Sequence, residues 1–469
     1  MASRISLCLV IAAALFLALP FAKSQSFIGV NYGEVADNLP PPAVTAQLLQ
    51  STTISKVRLY GADPNILRAL AGTGISVVIG ASNGDIPALA SDPMAAANWV
   101  SANVLPFHPA TSISVVAVGN EAFSSGDSTL AAQLLPAMQN LRTALAAASP
   151  STAGIKVSTV NIMSVLASSE PPSSGAFHAD VLPALKGVLA FLDDTASPFM
   201  INPYPYFAYQ SDPRPETLAF CLFQPNPGRH DAGSGATYMN MFDAQVDAVR
   251  AAIAAAGFPG VEILVAETGW PYKGDAGEEG ATVENAQAYN GGLVAHLRSL
   301  AGTPAAPGKP VDTFIFALYD EDLKPGPTSE RSFGLYRPDL TPTYDAGLAK
   351  SSAAPAPAAP ASQGNSSVPA PTPKRSEGKR WCVPKQGATE AELQASLDYA
   401  CGQPAVDCGP IQEGGACGDP NTVRSHAAYA MNEFYQVSGR QPLDCDFGGA
   451  AVLTTDDPSY SKCVYNGGQ

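Results

Sequence analysis

Charge is scarce in this 469-residue chain: only 14% of its residues are Asp, Glu, Lys or Arg. Basic residues are the scarcer kind, 26 against 41 acidic ones, for a formal net charge of −15. Binding a phosphate backbone needs basic patches, so no nucleic-acid partner is expected. A neutral ligand such as a polysaccharide, or a cationic one, suits the sign of the charge. Histidine is rarer still, with five residues scattered along the chain. No His-Glu-x-x-His occurs and no two cysteines stand as Cys-x-x-Cys, so no metal site is expected. The segment GTPAAPGKP from Gly302 lacks both the spacing and the final Ser/Thr of a phosphate loop. No Gly-x-Gly-x-x-Gly follows the first strand candidate, where the chain reads GVNYGEVADN from Gly29. No cofactor is expected.

Long hydrophobic runs are also lacking, with one exception. Residues 5–21, ISLCLVIAAALFLALPF, form an apolar stretch behind Arg4, followed by the small residues Ala22 and Ser24. This is the pattern of a secretory signal peptide over residues 1–24, not of a membrane anchor. No later run is long enough to span a bilayer, and KCVYNGGQ is no lipid-anchor tail. A secreted, extracellular or cell-wall protein is expected. Cysteine usage agrees. Of eight cysteines, Cys8 lies in the signal segment and Cys221 stands alone, expected as a buried free thiol. The other six, Cys382, Cys401, Cys408, Cys417, Cys445 and Cys463, read as a disulfide framework with fifteen possible pairings.

What is present is a globular composition, 46% hydrophobic, in a chain long enough for more than one domain. Residues 351–378 are rich in Ala, Pro and Ser without apolar periodicity, which reads as a semi-extended linker. The linker holds the chain's one N-glycosylation sequon, at Asn365. It separates a domain over 25–350 from one over 379–469.

In the first domain β-rich runs alternate with Ala- and Leu-rich helical segments. Strand candidates begin at Phe27, Ile54, Ile75, Ile113, Ile155, Phe199, Val261 and Thr313. Helical candidates include TLAAQLLPAMQNLRTALAAA and MFDAQVDAVRAAIAAAG. Eight such alternations predict an α/β fold, a (β/α)8 TIM barrel, with a doubly wound open sheet as the alternative. Barrel chemistry sits at the C-terminal strand ends. There the sequence places Asn31 and Tyr32, Arg58 and Tyr60, Asn120 and Glu121, Asn202, Tyr204 and Tyr206, Glu267 and Trp270, and Tyr319 to Glu321.

Glu121 closes the fourth strand and Glu267 the seventh. Glycoside hydrolysis needs two carboxyl groups across the scissile bond, in environments that push their pKa values apart. Aromatic rings such as Tyr204, Tyr206 and Trp270 suit a sugar cleft, offering flat apolar faces with polar edges. A rim salt bridge is the ordinary role for any one such Glu. Two at the proper ends of two strands favour the hydrolytic reading. If they form a retaining pair, their carboxyl groups lie about 5–5.5 Å apart.

Six motifs in order, IGVNYG, VRLYGADP, VAVGNE, INPYPYFAY, VAETGWP and FALYDEDLKPGP, resemble plant β-1,3-glucanases of glycoside hydrolase family 17. The resemblance spans the first domain. It implies a retaining endo-β-1,3-glucanase with Glu121 as proton donor, Glu267 as nucleophile, and Asn120 beside the donor. It also implies a supporting Glu321–Lys324 pair and substrate contact by Tyr204. Tyr32, Tyr60, Asn202, Tyr206 and Trp270 complete the expected substrate-binding set. Many members carry Asn-Glu-Asn-x-Lys where this chain has Asp320-Glu321-Asp322-Leu323-Lys324, so extra acid near the cleft could shift pKa values or subsite preference.

The second domain, with WCVPK, LDYACG, CDFGGAA and CVY, resembles the X8 domain, also classed as carbohydrate-binding module 43. That implies a small, disulfide-rich, mainly α-helical β-1,3-glucan binder. Trp381, Tyr399, Tyr429 and Tyr435 stand either as a binding platform or as core. The partner expected is β-1,3-glucan, and the chain is expected to act as a monomer. Alternatives are a glucan-binding or transglycosylating wall protein with little net hydrolysis, and mixed-linkage β-1,3;1,4-glucan as substrate. Callose turnover, defence against fungal walls, and pollen or seed development all fit.

Overall fold

The computed structural model describes residues 27–350 and 379–467, apart from 386, 404–405, 413, 439, 441, 446 and 448–449. The expected signal segment 1–24, the linker and the Asn365 sequon lie outside the described residues. Eight parallel strands close into a barrel in sequence order. They are β1 (Ile28–Asn31), β2 (Lys56–Arg58), β3 (Ser76–Ala81), β4 (Ser112–Asn120), β5 (Lys156–Ile162), β6 (Phe199–Asn202), β7 (Ile263–Thr268) and β8 (Asp312–Ile315). Val30 stands opposite Val57, and Val57 opposite Val77. Ile28 opposite Thr313 closes the ring. Each strand falls on one of the eight expected runs, with β4, β5 and β8 reaching one residue beyond theirs.

Both faces of these strands are buried, and alternate residues serve different cores. Val78, Val115, Ala117, Val160, Met200, Leu264 and Phe314 pack together in the barrel interior. Val77, Ile79, Val116, Val118, Val157, Ile201 and Val265 pack outward into a larger core. This double burial is why strands such as β3 and β4 read as near-continuous apolar runs rather than as alternating ones.

The helices are α1 (Pro42–Gln50), α2 (Pro64–Ala69), α3 (Ile86–Ser91), α4 (Pro93–Asn103), α5 (Ser128–Ala148), α6 (Leu182–Thr195), α7 (Pro205–Ser211), α8 (Pro215–Cys221), α9 (Met241–Ala255) and α10 (Val283–Ser299). Their starts are written in the sequence. Proline opens α1, α2, α4, α7 and α8, where its missing N–H has no partner to lose. Asp63, Asp127, Asn240 and Thr282 accept backbone N–H groups at the starts of α2, α5, α9 and α10.

The C-terminal domain holds α11 (Glu390–Cys401), α12 (Val423–Val437) and a two-stranded antiparallel sheet of β9 (Trp381–Pro384) and β10 (Ala451–Thr454). Of the fifteen possible pairings, the structure has Cys382–Cys445, Cys401–Cys408 and Cys417–Cys463. Trp381, Tyr399, Tyr429 and Tyr435 are all buried, so they are core and not a platform. Met239 of the barrel belongs to the same packed cluster as Tyr399 and Met431, so the two domains touch. Cys221 is buried, as expected, with Sγ against the Pro205 carbonyl oxygen at 3.4 Å.

The Cys417–Cys463 bridge spans 46 residues and ties the chain's end to the body of the small domain. Replacing both cysteines with serine is expected to destabilise this domain by about 2–5 kcal/mol. Hydrogen exchange of α12 in the two proteins checks this, and unchanged protection refutes it.

Candidate functional site

β4 and β7 each carry an irregularity just before their carboxylate. Pairing between β4 and β5 shifts register between Ala117 and Asn120, and pairing between β7 and β8 shifts between Val265 and Thr268. Such bulges re-aim side chains at barrel rims. At Gly119 the backbone is left-handed, φ +71°, and a Cβ would stand 2.8 Å from Asn83 Oδ1 and from Ile86 Cδ1. Only glycine fits there. Asn83 then clamps the next residue. Its Oδ1 accepts from the Asn120 N–H at 2.8 Å, and its Nδ2 donates to the Asn120 carbonyl at 3.0 Å. Glu121 follows at φ 57°, ψ 32°, with its N–H donating to the Val160 carbonyl at 2.9 Å. A non-glycine residue held there stores about 1–3 kcal/mol of strain, tolerated where the surroundings over-determine it.

Arg58, at the end of β2, joins these strands from inside the barrel. It is 1% exposed, and Glu267 is 6% exposed. Arg58 Nη1 donates to Glu267 Oε1 at 2.5 Å, and Nη2 donates to Asn120 Oδ1 at 2.7 Å. The guanidinium also lies 4.5 Å from the Tyr60 ring centre. Tyr204 donates its hydroxyl to Glu267 Oε2 at 3.0 Å. Burial, reinforced by the Glu267 charge, holds both the Tyr60 and Tyr204 hydroxyls far above the ordinary tyrosine pKa, so both stay protonated.

Glu121 is placed differently. It is half-buried, and Oε1 accepts from Asn202 Nδ2 at 2.7 Å. Burial pushes its carboxyl above the usual glutamate range and the charge of Glu267 adds to this. The Asn202 bond and the cations of Arg58 and Lys324 oppose the shift without reversing it. One carboxyl is thus paired with a buried guanidinium and a phenol, while the other is biased toward keeping its proton.

Both line one cleft of 810 Å³. With them stand the expected Tyr60, Asn120, Asn202, Tyr204, Glu321 and Lys324. Glu321 Oε1 accepts from the Val35 N–H at 3.0 Å, and a Cβ on Gly33 would meet its carboxyl at 2.1 Å, so the β1 loop packs directly on this glutamate. Glu321 and Lys324 are not paired to each other through their side chains. Lys324 pairs with Glu330 at 3.0 Å and lies over Phe316 at 4.6 Å.

Three expected substrate contacts are not in the cleft. Tyr32 is buried edge-on against Tyr319 at 5.9 Å. Tyr206 falls inside α7, which begins at Pro205 and turns the ring into the core, where Gln210 donates to its hydroxyl at 2.6 Å. Trp270 follows Gly269 outward, packs on Tyr206 and Tyr289, and donates Nε1–H to the Gly280 carbonyl at 2.7 Å. These rings brace the wall from behind. Asp320, one of the two departures in the sixth motif, accepts from the Tyr272 hydroxyl at 2.5 Å and the Gly334 N–H at 2.8 Å and does not line the cleft.

Sequence reasoning missed the central role of Arg58, noted only as a strand-end residue, and missed Asn83, Phe207, Phe316 and Phe333. Tyr204 packs against all three phenylalanines at 5.5 to 6.3 Å. Phe207 keeps 47% of its surface exposed in the cleft wall. A nucleophile elbow is not expected from the sequence, and that expectation is wrong as to the motif: Gly80-Ala81-Ser82-Asn83-Gly84 has the Gly-x-Ser-x-Gly spacing and the strand–turn–helix setting. Ser82 Oγ donates to Asp85 Oδ2 at 2.8 Å, with no histidine bonded to either. The segment is a turn and not a nucleophile.

Residues 28–347 match the sequence pattern of glycosyl hydrolases family 17, and residues 380–452 match that of the X8 domain. A protein of Arabidopsis thaliana named glucan endo-1,3-beta-glucosidase 7 is 62% identical over 448 residues, 96% of this chain and 86% of that one. The glucan endo-1,3-beta-D-glucosidase of Olea europaea is 53% identical over 447 residues, 95% of each chain. Among solved structures, CJP38, a beta-1,3-glucanase and allergen of Cryptomeria japonica pollen, superposes with a TM-score of 0.64 at 42% identity. That match covers 68% of this chain and 98% of CJP38.

Two variants test the electrostatics. Asn202→Ala removes a donor that favours the charged form of Glu121, so the Glu121 carboxyl is expected to titrate at still higher pH, read by carboxyl NMR. A downward shift contradicts the assignment. Arg58→Met leaves Glu267 buried without its cation and is expected to cost about 3–5 kcal/mol in denaturant unfolding.

Proposed function

The chain belongs to glycosyl hydrolases family 17, and from that premise we propose that it is an endo-acting β-1,3-glucanase working by retaining double displacement. The single observation that carries the mechanism is the unequal treatment of the two carboxyls in one cleft. Glu267 is held by Arg58 and Tyr204 as a fixed carboxylate nucleophile. Glu121 is buried enough to keep the proton that a leaving oxygen needs.

A glucan chain lies across the cleft with its scissile bond between the two groups. Glu121 gives its proton to the glycosidic oxygen as the bond to the anomeric carbon breaks. Glu267 forms a bond to that carbon, and the leaving chain departs with a new hydroxyl. Glu121, now a carboxylate, takes a proton from water. The water oxygen bonds to the anomeric carbon and Glu267 is released, so the product keeps the β configuration. Tyr204 fixes the direction of the Glu267 carboxyl throughout. Asn202 Oδ1, buried and without a hydrogen-bond partner among the described residues, is free to meet a sugar hydroxyl, and the Tyr60 hydroxyl stands beside it in the cleft lining. The exposed face of Phe207 offers a sugar ring an apolar surface.

The protein is proposed to act outside the cell as a monomer. The signal-like leader and three disulfides support that location. The X8 domain is proposed to hold the enzyme on β-1,3-glucan, using surface other than its buried aromatic residues.

Glu267→Gln is expected to lower β-1,3-glucan hydrolysis by at least about 10⁴-fold, and Glu121→Gln by about 10²–10⁴-fold. Near wild-type turnover in Glu267→Gln overturns the mechanism. NMR of early product should show the β anomer first, and the two carboxyl groups should stand about 5–5.5 Å apart. Because Glu121 must be protonated to act, kcat/KM should fall as pH rises through its raised pKa. In Asn202→Ala this alkaline limb should move to higher pH.

A further inference from the structure

Beside the cleft lies a second cavity of 310 Å³ that shares Met163, Ala208 and Gln245 with it. Its chemistry is that of neither a salt-binding site nor a plain void. Of its carboxylates, Asp212 accepts from Arg214 and Thr217, Asp231 accepts from Ser173, Gly233 and Ser234, and Glu170, exposed at the rim, lies 3.6 Å from Arg229. Its cation is engaged too, with the Arg229 guanidinium 4.5 Å above the Phe220 ring and donating to Thr217 Oγ1 at 3.2 Å. One group at the junction is not satisfied. Gln245 Oε1 is buried and has no hydrogen-bond partner among the described residues. A buried acceptor without a donor costs about 1–3 kcal/mol, which a ligand O–H would relieve. Phe220, Met163 and Met241 add apolar wall.

A neutral ring with C–H faces and hydroxyl donors fits this combination, and the volume is at the small end of ligand sites. We infer that the cavity is a glucosyl-binding subsite opening off the main cleft at Gln245. This rests on the reading of the protein as a β-1,3-glucan hydrolase. The ring can come from two sources, the main chain bending past Met163 or a 6-linked branch on a unit held in the cleft.

Ala244 lines this cavity and not the cleft, so Ala244→Phe fills the subsite while sparing the carboxylates. The measurement is kcat/KM on linear β-1,3-gluco-oligosaccharides of increasing length and on 6-branched β-1,3-glucan. Ala244→Phe should match wild type on the shortest cleaved oligosaccharide and lose about tenfold or more where the subsite is occupied. Loss on long linear chains assigns the subsite to the main chain. Loss confined to branched glucan assigns it to the branch. Rates within about twofold of wild type on every substrate overturn the inference. Ser169→Trp, which crowds the cavity from its exposed rim and also lies outside the cleft lining, provides the same comparison if Ala244→Phe does not fold. If wild type cleaves no β-1,3-glucan, the functional reading itself fails; if wild type cleaves and both variants are unchanged, only the subsite does.

Discussion

One buried guanidinium organises the working end of this barrel. Arg58 rises from β2 into the barrel mouth and reaches β7 through Glu267 and β4 through Asn120. Taking a charged group out of water is costly, and the cost is offset only if opposite charge and hydrogen bonds surround it. Arg58 meets that condition with a carboxylate, an amide oxygen and an aromatic face. The two carboxylate-bearing strands are thereby tied to a third. The cation bonds Glu267 directly and reaches Glu121 only as an influence that opposes its raised pKa.

The backbone is arranged to serve that contact. Two strands leave regular register immediately before their carboxylates, and Glu121 occupies a left-handed conformation that a glutamate does not choose by itself. Asn83 over-determines it by gripping both backbone groups of Asn120. Below this layer the barrel is ordinary, packed with Val, Ala, Met, Leu and Phe on its inward positions. The buried Arg58–Glu267 ion pair lies at the top of the barrel, where the apolar interior gives way to Arg58, Asn120 and Asn202.

Much of this was legible in the sequence, for a definite reason. Double burial makes most barrel strands β-branched, largely apolar runs, so the eight strands and the polar residues closing them stand out, Glu121 and Glu267 among them. What did not show was anything that depends on crossing the barrel. Arg58 looks like any strand-end arginine until β2 is closed against β4 and β7. The aromatic residues misled for the opposite reason. Tyr206 and Trp270 sit near strand ends in sequence, but the helix starting at Pro205 and the outward turn at Gly269 send both rings behind the wall. In the small domain, six cysteines signal a framework, yet their pairing follows from how α11 and α12 pack, which spacing does not encode.

The unlike holding of Glu121 and Glu267 gives the cleft a direction. A glucan chain has a reducing and a non-reducing end, so it can enter in two orientations. In one, its bridging oxygen meets the proton on Glu121. In the other, the same oxygen faces Glu267, which Arg58 holds in a buried ion pair. The walls of a groove make many contacts that a reversed polymer can partly satisfy, but the fixed charge at its centre does not reverse with it. Under the proposed assignment a reversed chain finds no donor where it needs one, and the cleft is expected to hydrolyse its polymer in one orientation only.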